Sequence, residues 1–205
     1  FGDMGFEEAD PETLYLCYRM YDPSFGNPDP KVTEVDMYSW DRSSFISQLA
    51  NMPASVSDNA LFSSGVKRGA DAGCTDLQQL AAFLRASLCS LQHQKAAFKN
   101  LMRFTFKYLG DSKRSIDASL ATTGLRMLLS SHRSVNRKHL DSLCAYLESG
   151  DVKYVNEDSF VCFLDFSEQF QSDPELKTYD DADSWPLLLD EWVEFHKKSA
   201  GDSTA

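Results

Sequence analysis

Phe98-Lys99-Asn100-Leu101-Met102-Arg103-Phe104-Thr105-Phe106-Lys107-Tyr108-Leu109 is the stretch on which the fold turns. Phe98, Leu101, Met102, Thr105 and Leu109 recur at the period of an α-helix and make one stripe. Phe104, Phe106 and Tyr108 fall elsewhere on the wheel, so this helix is apolar on a further face. A helix that buries two faces belongs at the centre of a domain and requires other helices around it.

The flanking sequence supplies them. Upstream, Thr75 caps a run with Leu77, Leu80, Ala81, Leu84, Leu88 and Leu91. Downstream, Gly110-Asp111-Ser112 breaks the chain and Asp117 caps a helix carrying Leu120, Gly124, Leu125, Met127, Leu128 and Leu129. Asn136 opens another, with Leu140, Leu143, Cys144 and Leu147, which ends at Ser149-Gly150. Asn156 caps a helix with Phe160, Phe163, Leu164 and Phe170, and the last helix starts at Ser184-Trp185-Pro186 and carries Leu188, Leu189, Trp192 and Phe195. Of this region only Lys153-Tyr154-Val155, in a short extended piece from Val152 to Val155, is strand-like. The expected fold class is all-α.

Further upstream the pattern is weaker. Asp10-Pro11-Glu12 opens a short helix with Leu14, Cys17, Tyr18 and Tyr21. Pro23, Pro28, Pro30 and Gly26 make a loop of the segment from Asp22 to Asp36. Asp41 caps a helix with Phe45, Leu49 and Met52, and a Ser-, Ala- and Gly-rich insertion runs from there to Gly73. The expected organisation is a divergent N-terminal lobe over 1–74, a core domain over 75–198 and a disordered tail over 199–205.

In the second half, helix, short loop with an extended group, and helix occur twice, the arrangement of two EF-hand-like lobes. Calcium needs oxygen-bearing side chains at the third and fifth loop positions. Here Lys113 and Ser115, with the basic Arg114 between them, then Lys153 and Val155, occupy them; the lysines and the valine offer no oxygen and Ser115 no carboxylate, so neither lobe is expected to have a calcium site. The cysteines at 17, 74, 89, 144 and 162 form no C-x-x-C pair, and His93, His132, His139 and His196 lie at no zinc-ligand spacing. No cofactor or metal is expected, and no nucleophile motif, phosphate loop or dinucleotide fingerprint is present.

Of the 205 residues 42% are apolar and 25% charged, with a net charge of −11, which argues against a nucleic-acid binder. The apolar runs Ser159 to Leu164 and Trp185 to Leu189 are far shorter than the ~20 residues of a membrane span. No secretory signal opens the chain, so nucleus and cytoplasm are the expected compartments. From Asp141 to Phe195 fifteen acids face two bases, whereas from Lys95 to His139 ten bases face two acids. The split predicts a dipolar surface that steers charged partners; solvated helix faces that happen to sort this way fit the same count.

The stretch Tyr179-Asp180-Asp181-Ala182-Asp183-Ser184-Trp185-Pro186-Leu187-Leu188-Leu189-Asp190-Glu191-Trp192-Val193-Glu194-Phe195 resembles the terminal motif of the potentiating-neddylation (DCUN1) domain. That domain defines the defective-in-cullin-neddylation family. Phe98 to Tyr108, Arg114 to Asp117 and Asn156 to Phe166 fit it in the same order. The resemblance implies an accessory, scaffold-type ligase of cullin neddylation, not itself an enzyme, since the cysteine chemistry belongs to its partner conjugating enzyme. It implies binding of the cullin C-terminal winged-helix domain through an acidic patch, here Asp158, Ser184 and Asp190, with Ser184 standing where the family has alanine. The cullin RING subunit would be engaged indirectly.

The family's second site is an apolar pocket for the acetylated N-terminal methionine of the conjugating enzyme, where a free amine would carry a charge into a dry cavity. The matching walls are Tyr108 and Met127, with Trp40 a further candidate; Gly124 replaces a family tyrosine and removes a wall. Tyr108 and Met127 read equally as ordinary core. The alternative to the adaptor is a module of the same fold that holds a cullin or another basic partner without recruiting the conjugating enzyme.

Overall fold

The computed structural model describes residues 10–21, 77–111 and 113–202. Trp40, the helix expected around Phe45, the insertion to Gly73 and the Thr75 cap lie outside the described residues. The chain divides into two compact units, 1–95 and 96–205.

In the first unit, α1 (Pro11–Tyr21) and α2 (Leu77–Gln92) are in contact. Pro11 sits where a helix has no use for an N–H, and Asp10 O accepts from the amides of Thr13 and Leu14 at 3.0 and 3.3 Å. Leu14, Tyr15, Leu16 and Cys17 are all buried, and burial pushes the Cys17 thiol up to about 11. Among the described side chains of α2, Ala81, Leu84 and Leu88 of the expected stripe are buried and Leu91 is half-buried. The sequence reading grouped α2 with the core domain; the unit boundary sorts it with α1, whose surface it meets.

The second unit holds α3 (Lys95–Leu109), α4 (Ala118–Leu129), α5 (Arg137–Glu148), α6 (Glu157–Gln169) and α7 (Leu187–Asp202), with strands β1 (Ser115–Asp117) and β2 (Tyr154–Asn156). The all-α expectation holds, with one small ribbon among the described residues. On α3 Phe98, Leu101, Met102, Phe104, Thr105 and Phe106 are buried, so the second apolar face is used. Phe106 meets Phe160 at a centroid distance of 5.6 Å. The strands pair antiparallel, Ser115 with Asn156, Ile116 with Val155 and Asp117 with Tyr154. Ile116 and Val155 point into the core while their neighbours are exposed, the period-two alternation of a half-buried strand. Two helix–strand–helix units, α3–β1–α4 and α5–β2–α6, are thus joined through their strands.

The helix starts differ in how they are capped. Asn136 accepts from Lys138 N at 3.0 Å and Asn156 from Ser159 N at 2.7 Å, as expected. Asp117 stands at the start of α4 without making a side-chain cap bond. The Ala118 amide donates instead to Lys153 O at 3.1 Å, extending the ribbon. The strand expected over 153–155 lies at 154–156, because Asn156 serves both as strand end and as cap. Gly150, after α5, has a φ of 93°, a conformation open to glycine at little cost. The last helix runs to Asp202, past the boundary at 198, so the first residues of the expected tail are helical.

A polar chain locks α7 to α5 and to the α6–α7 connector. Trp192 Nε1 donates to Ser142 Oγ at 3.2 Å, and Ser142 Oγ lies 2.8 Å from His196 Nδ1. His196 Nε2 is 3.0 Å from Pro174 O, and His139 Nε2 is 3.1 Å from Asp173 O. The carbonyls can only accept, so each Nε2 carries a proton; in the neutral imidazole His196 Nδ1 then accepts from the serine hydroxyl. Both imidazoles are buried, 5.8 Å apart between centroids, and His139 is held below its usual range, chiefly by desolvation. Trp192 itself is fully buried against Phe163 and Phe166.

Candidate functional site: an acidic cleft at the start of the last helix

Pro186 cannot donate a backbone hydrogen bond, and its carbonyl accepts from Leu189 and Asp190 at 2.8 and 3.4 Å. This turn starts α7 and puts Asp190 in its first turn, where the helix dipole favours a carboxylate. The hydroxyl of Tyr179, eleven residues back in the connector, donates to Asp190 Oδ1. Burial first, then that bond and the Asp190 charge, drive the Tyr179 phenol well above its ordinary range, so it remains a donor.

The tyrosine ring is fixed from several sides. Its centroid lies 5.8 Å from Phe166 and 5.9 Å from Phe170, and the Lys197 ammonium sits 5.1 Å from it. Lys197 follows Asp190 by seven residues on α7, two turns along the same face. Tyr179, Asp190 and Lys197 help to line an open cleft of about 580 Å³, in which Asp180, Asp181, Asp190 and Glu194 outnumber Lys177 and Lys197. The cleft floor is rigidified from the connector: Asp173 Oδ2 accepts from the amide and the hydroxyl of Thr178, both at 2.7 Å, which draws its carboxyl down to about 2. Such a site can hold a cationic side chain.

Of the expected patch, Asp190 is half-buried in this cleft, whereas Asp158 and Ser184 do not line it. Asp158 is exposed in the first turn of α6, its Oδ1 3.5 Å from Cys162 Sγ. Burial, then Asp158, pushes that thiol up to about 11. Ser184 is exposed in the turn leading to α7. Leu187, one turn before Asp190, is 71% exposed and adds apolar surface beside the charge.

The dipolar surface expected from the charge count is partly cancelled by folding. Lys99 pairs with Asp165, Arg103 with Glu157 at 3.8 Å, Arg126 with Glu148 at 3.6 Å and Lys138 with Glu175 at 3.2 Å. In every case a base from the basic stretch meets an acid from the acidic one. Exposed pairs of this kind contribute about 0–1 kcal/mol each, so their effect is on the field more than on stability.

For the second expected site, Tyr108 is half-buried near the end of α3, its ring 5.9 Å from that of Phe104, and Met127 is half-buried on α4. Neither lines the Asp190 cleft, and Trp40 lies outside the described residues. At Gly124 a Cβ would come within 2.8 Å of Leu109 Cδ1 and 3.1 Å of Phe160 Cζ. The missing tyrosine wall therefore leaves no gap there, because Leu109 and Phe160 close over the glycine. The sequence reading missed Tyr179 and Lys197 as site residues: Tyr179 reaches Asp190 from a connector with no periodicity, where the acid-rich run that follows was the only signal, whereas the seven-residue spacing of Lys197 from Asp190 on one helix was the signal for the lysine.

Fold and site together define a mostly helical domain with an acid-lined cleft at the start of its last helix. The sequence pattern described as cullin binding matches residues 77–195, more than half of the chain. The chain belongs to the cullin-binding (DCUN1-domain) family. It is similar to DCN1-like protein 2 of Dictyostelium discoideum, 34% identical over 142 residues, 67% of this chain and 49% of that one. Human DCN1-like protein 5 is 33% identical over 126 residues, 60% of this chain and 49% of that protein. Defective in cullin neddylation protein 1 of Candida glabrata is 24% identical over 131 residues, 60% of this chain and 48% of that protein. The chain spans about half the length of these curated relatives.

Proposed function

We propose that this chain is a non-catalytic accessory protein of cullin neddylation that binds a cullin C-terminal winged-helix domain through the acidic surface around Asp190 and Asp158. The observation that carries the proposal is the cullin-binding pattern over 77–195, whose C-terminal part contains the Asp190 cleft. Its fold is read as two EF-hand-like units without calcium; among the described residues no cluster of His, Cys, Asp or Glu is arranged to hold a metal. The same reading puts the protein in nucleus and cytoplasm, engaging the RING subunit indirectly and the conjugating enzyme through its acetylated N-terminus.

A second reading, cullin binding without recruitment of the conjugating enzyme, is favoured by one observation: Leu109 and Phe160 occupy the space beside Gly124. Calorimetry with a peptide headed by acetyl-methionine separates the two, since the adaptor binds it more tightly than the unacetylated twin and the simpler module binds neither.

The acidic surface is tested by Asp158→Asn combined with Asp190→Asn, which preserves shape and removes two charges. Cullin winged-helix affinity should fall by roughly 2–5 kcal/mol if the charges pair with buried bases at the contact. Wild-type affinity in the double variant at low salt, where surface electrostatics is strongest, would show that the site is elsewhere.

A further inference from the structure

Tyr179 combines three properties that a residue serving only as packing would not need together. Its hydroxyl is spent on one oxygen of a half-buried carboxylate rather than on backbone or solvent. Its ring is held by Phe166 on α6, by Phe170 at the C-cap of that helix and by Lys197 on α7, so the donor has a fixed position relative to both helices. And the carboxylate it holds opens into the cleft lined by Asp180, Asp181 and Glu194.

A carboxylate has about four lone-pair directions, and Tyr179 takes one. The remaining ones, including both of Oδ2, stay available. An exposed aspartate must surrender rotamer freedom when a partner grips it, and that ordering reduces affinity. A carboxylate whose plane is already set by a fixed phenol has surrendered it on folding. The bond to Oδ1 also decides which oxygen a guest meets.

We infer that Tyr179 is a positioning residue for partner recognition: it orients Asp190 so that Oδ2 faces the cleft and accepts from a lysine or arginine side chain of the partner. The inference rests on the reading of Asp190 as a partner contact. Lys197 adds a constraint, because its ammonium already sits 5.1 Å from the ring centroid and a cationic guest must share the cleft with it.

The test is a double-variant cycle read as affinity for a cullin winged-helix domain at low salt. The proteins are the wild type, Tyr179→Phe, Asp190→Ala and the pair, with the thermal midpoint recorded for each. Phenylalanine keeps the ring stack and deletes only the donor. On the wild-type background Tyr179→Phe is expected to weaken binding roughly five- to tenfold, the order of one ordinary hydrogen bond, since the phenol acts on the partner only through Asp190. On the Asp190→Ala background it should change binding less than twofold. Equal weakening on both backgrounds would mean that Tyr179 acts through packing and would overturn the inference, as would unchanged affinity of Tyr179→Phe beside a weakened Asp190→Ala. Unchanged affinity of Asp190→Ala is a separate result, which removes the proposed site itself.

Discussion

At position 124 a glycine sits in the middle of α4, where it costs about 1 kcal/mol of helix propensity relative to alanine. The reason is steric, since Leu109 Cδ1 and Phe160 Cζ would lie 2.8 and 3.1 Å from an added Cβ. The closer neighbour is the tip of a flexible side chain, so Gly124→Ala trades a small displacement of Leu109 for better propensity and should stay within about 1 kcal/mol of wild type. Gly124→Tyr asks Leu109 and the buried Phe160 ring to make room for a whole ring and should destabilise by about 1–3 kcal/mol. Urea midpoints of the two variants decide it: a tyrosine variant as stable as the alanine one would mean that the ring finds open space, and the pocket reading would gain by it. From sequence alone the glycine signalled only an absent wall. That its neighbours had moved in could not be read, because Leu109 and Phe160 lie on other helices, 15 and 36 residues away.

The elements show which sequence signals carry structural weight. Asn136 and Asn156 make the side-chain bonds expected of N-caps, whereas Asp117, in the same position, makes none. Asn156→Ala should therefore cost about 0.5–2 kcal/mol, and Asp117→Ala less than about 0.5 kcal/mol, measured by chemical denaturation. Equal costs would mean that the β1–β2 register, not the cap bond, sets the start of α6. Helix identity, order and most boundaries after residue 76 were legible because each helix carries a 3.6-residue apolar stripe between a polar cap and a breaker. The paired strands were half legible: Tyr154 and Val155 read as extended, but the partner Ser115-Ile116-Asp117 read as a loop and a cap. Three residues are too few for a period-two pattern to stand out. The Asp190 acid was readable as a site by resemblance, but its phenol donor was not, since an irregular connector fixes no spacing between donor and acceptor.

For the second unit as a whole, stability should depend on acid in two separate windows. His139 carries a proton on Nε2, faces Asp173 and His196, and has a buried Nδ1 without a hydrogen-bond partner, so its protonation puts a charge and an unmatched donor into the core. Its folded affinity for protons is depressed, so the unfolded chain binds more protons below its ordinary value near 6.5. Stability from this source is complete above that value and is lost as pH falls through the folded one. Asp173, drawn down to about 2 by Thr178, contributes stability above 3.8 that is lost between there and about 2. Melting temperature recorded from pH 7.5 downward should begin to fall near pH 6.5, and His139→Gln should flatten that first decline while leaving the second. A first decline of the same size in the variant would assign it to another group.

Ser142 has a consequence for how the sequence can drift. Its oxygen receives the indole proton of Trp192 while its own proton goes to His196, 50 and 54 residues further along the chain. A side chain that only donates, or only accepts, leaves one of those two partners without its bond. Alanine strands both. Among the twenty side chains only a short hydroxyl does both jobs from a single atom in that space, so position 142 is confined to serine or threonine for as long as a tryptophan and a histidine stand opposite it. Escape requires all three to change together, which makes this half-buried residue slower to vary than the acids that crowd the surface around it.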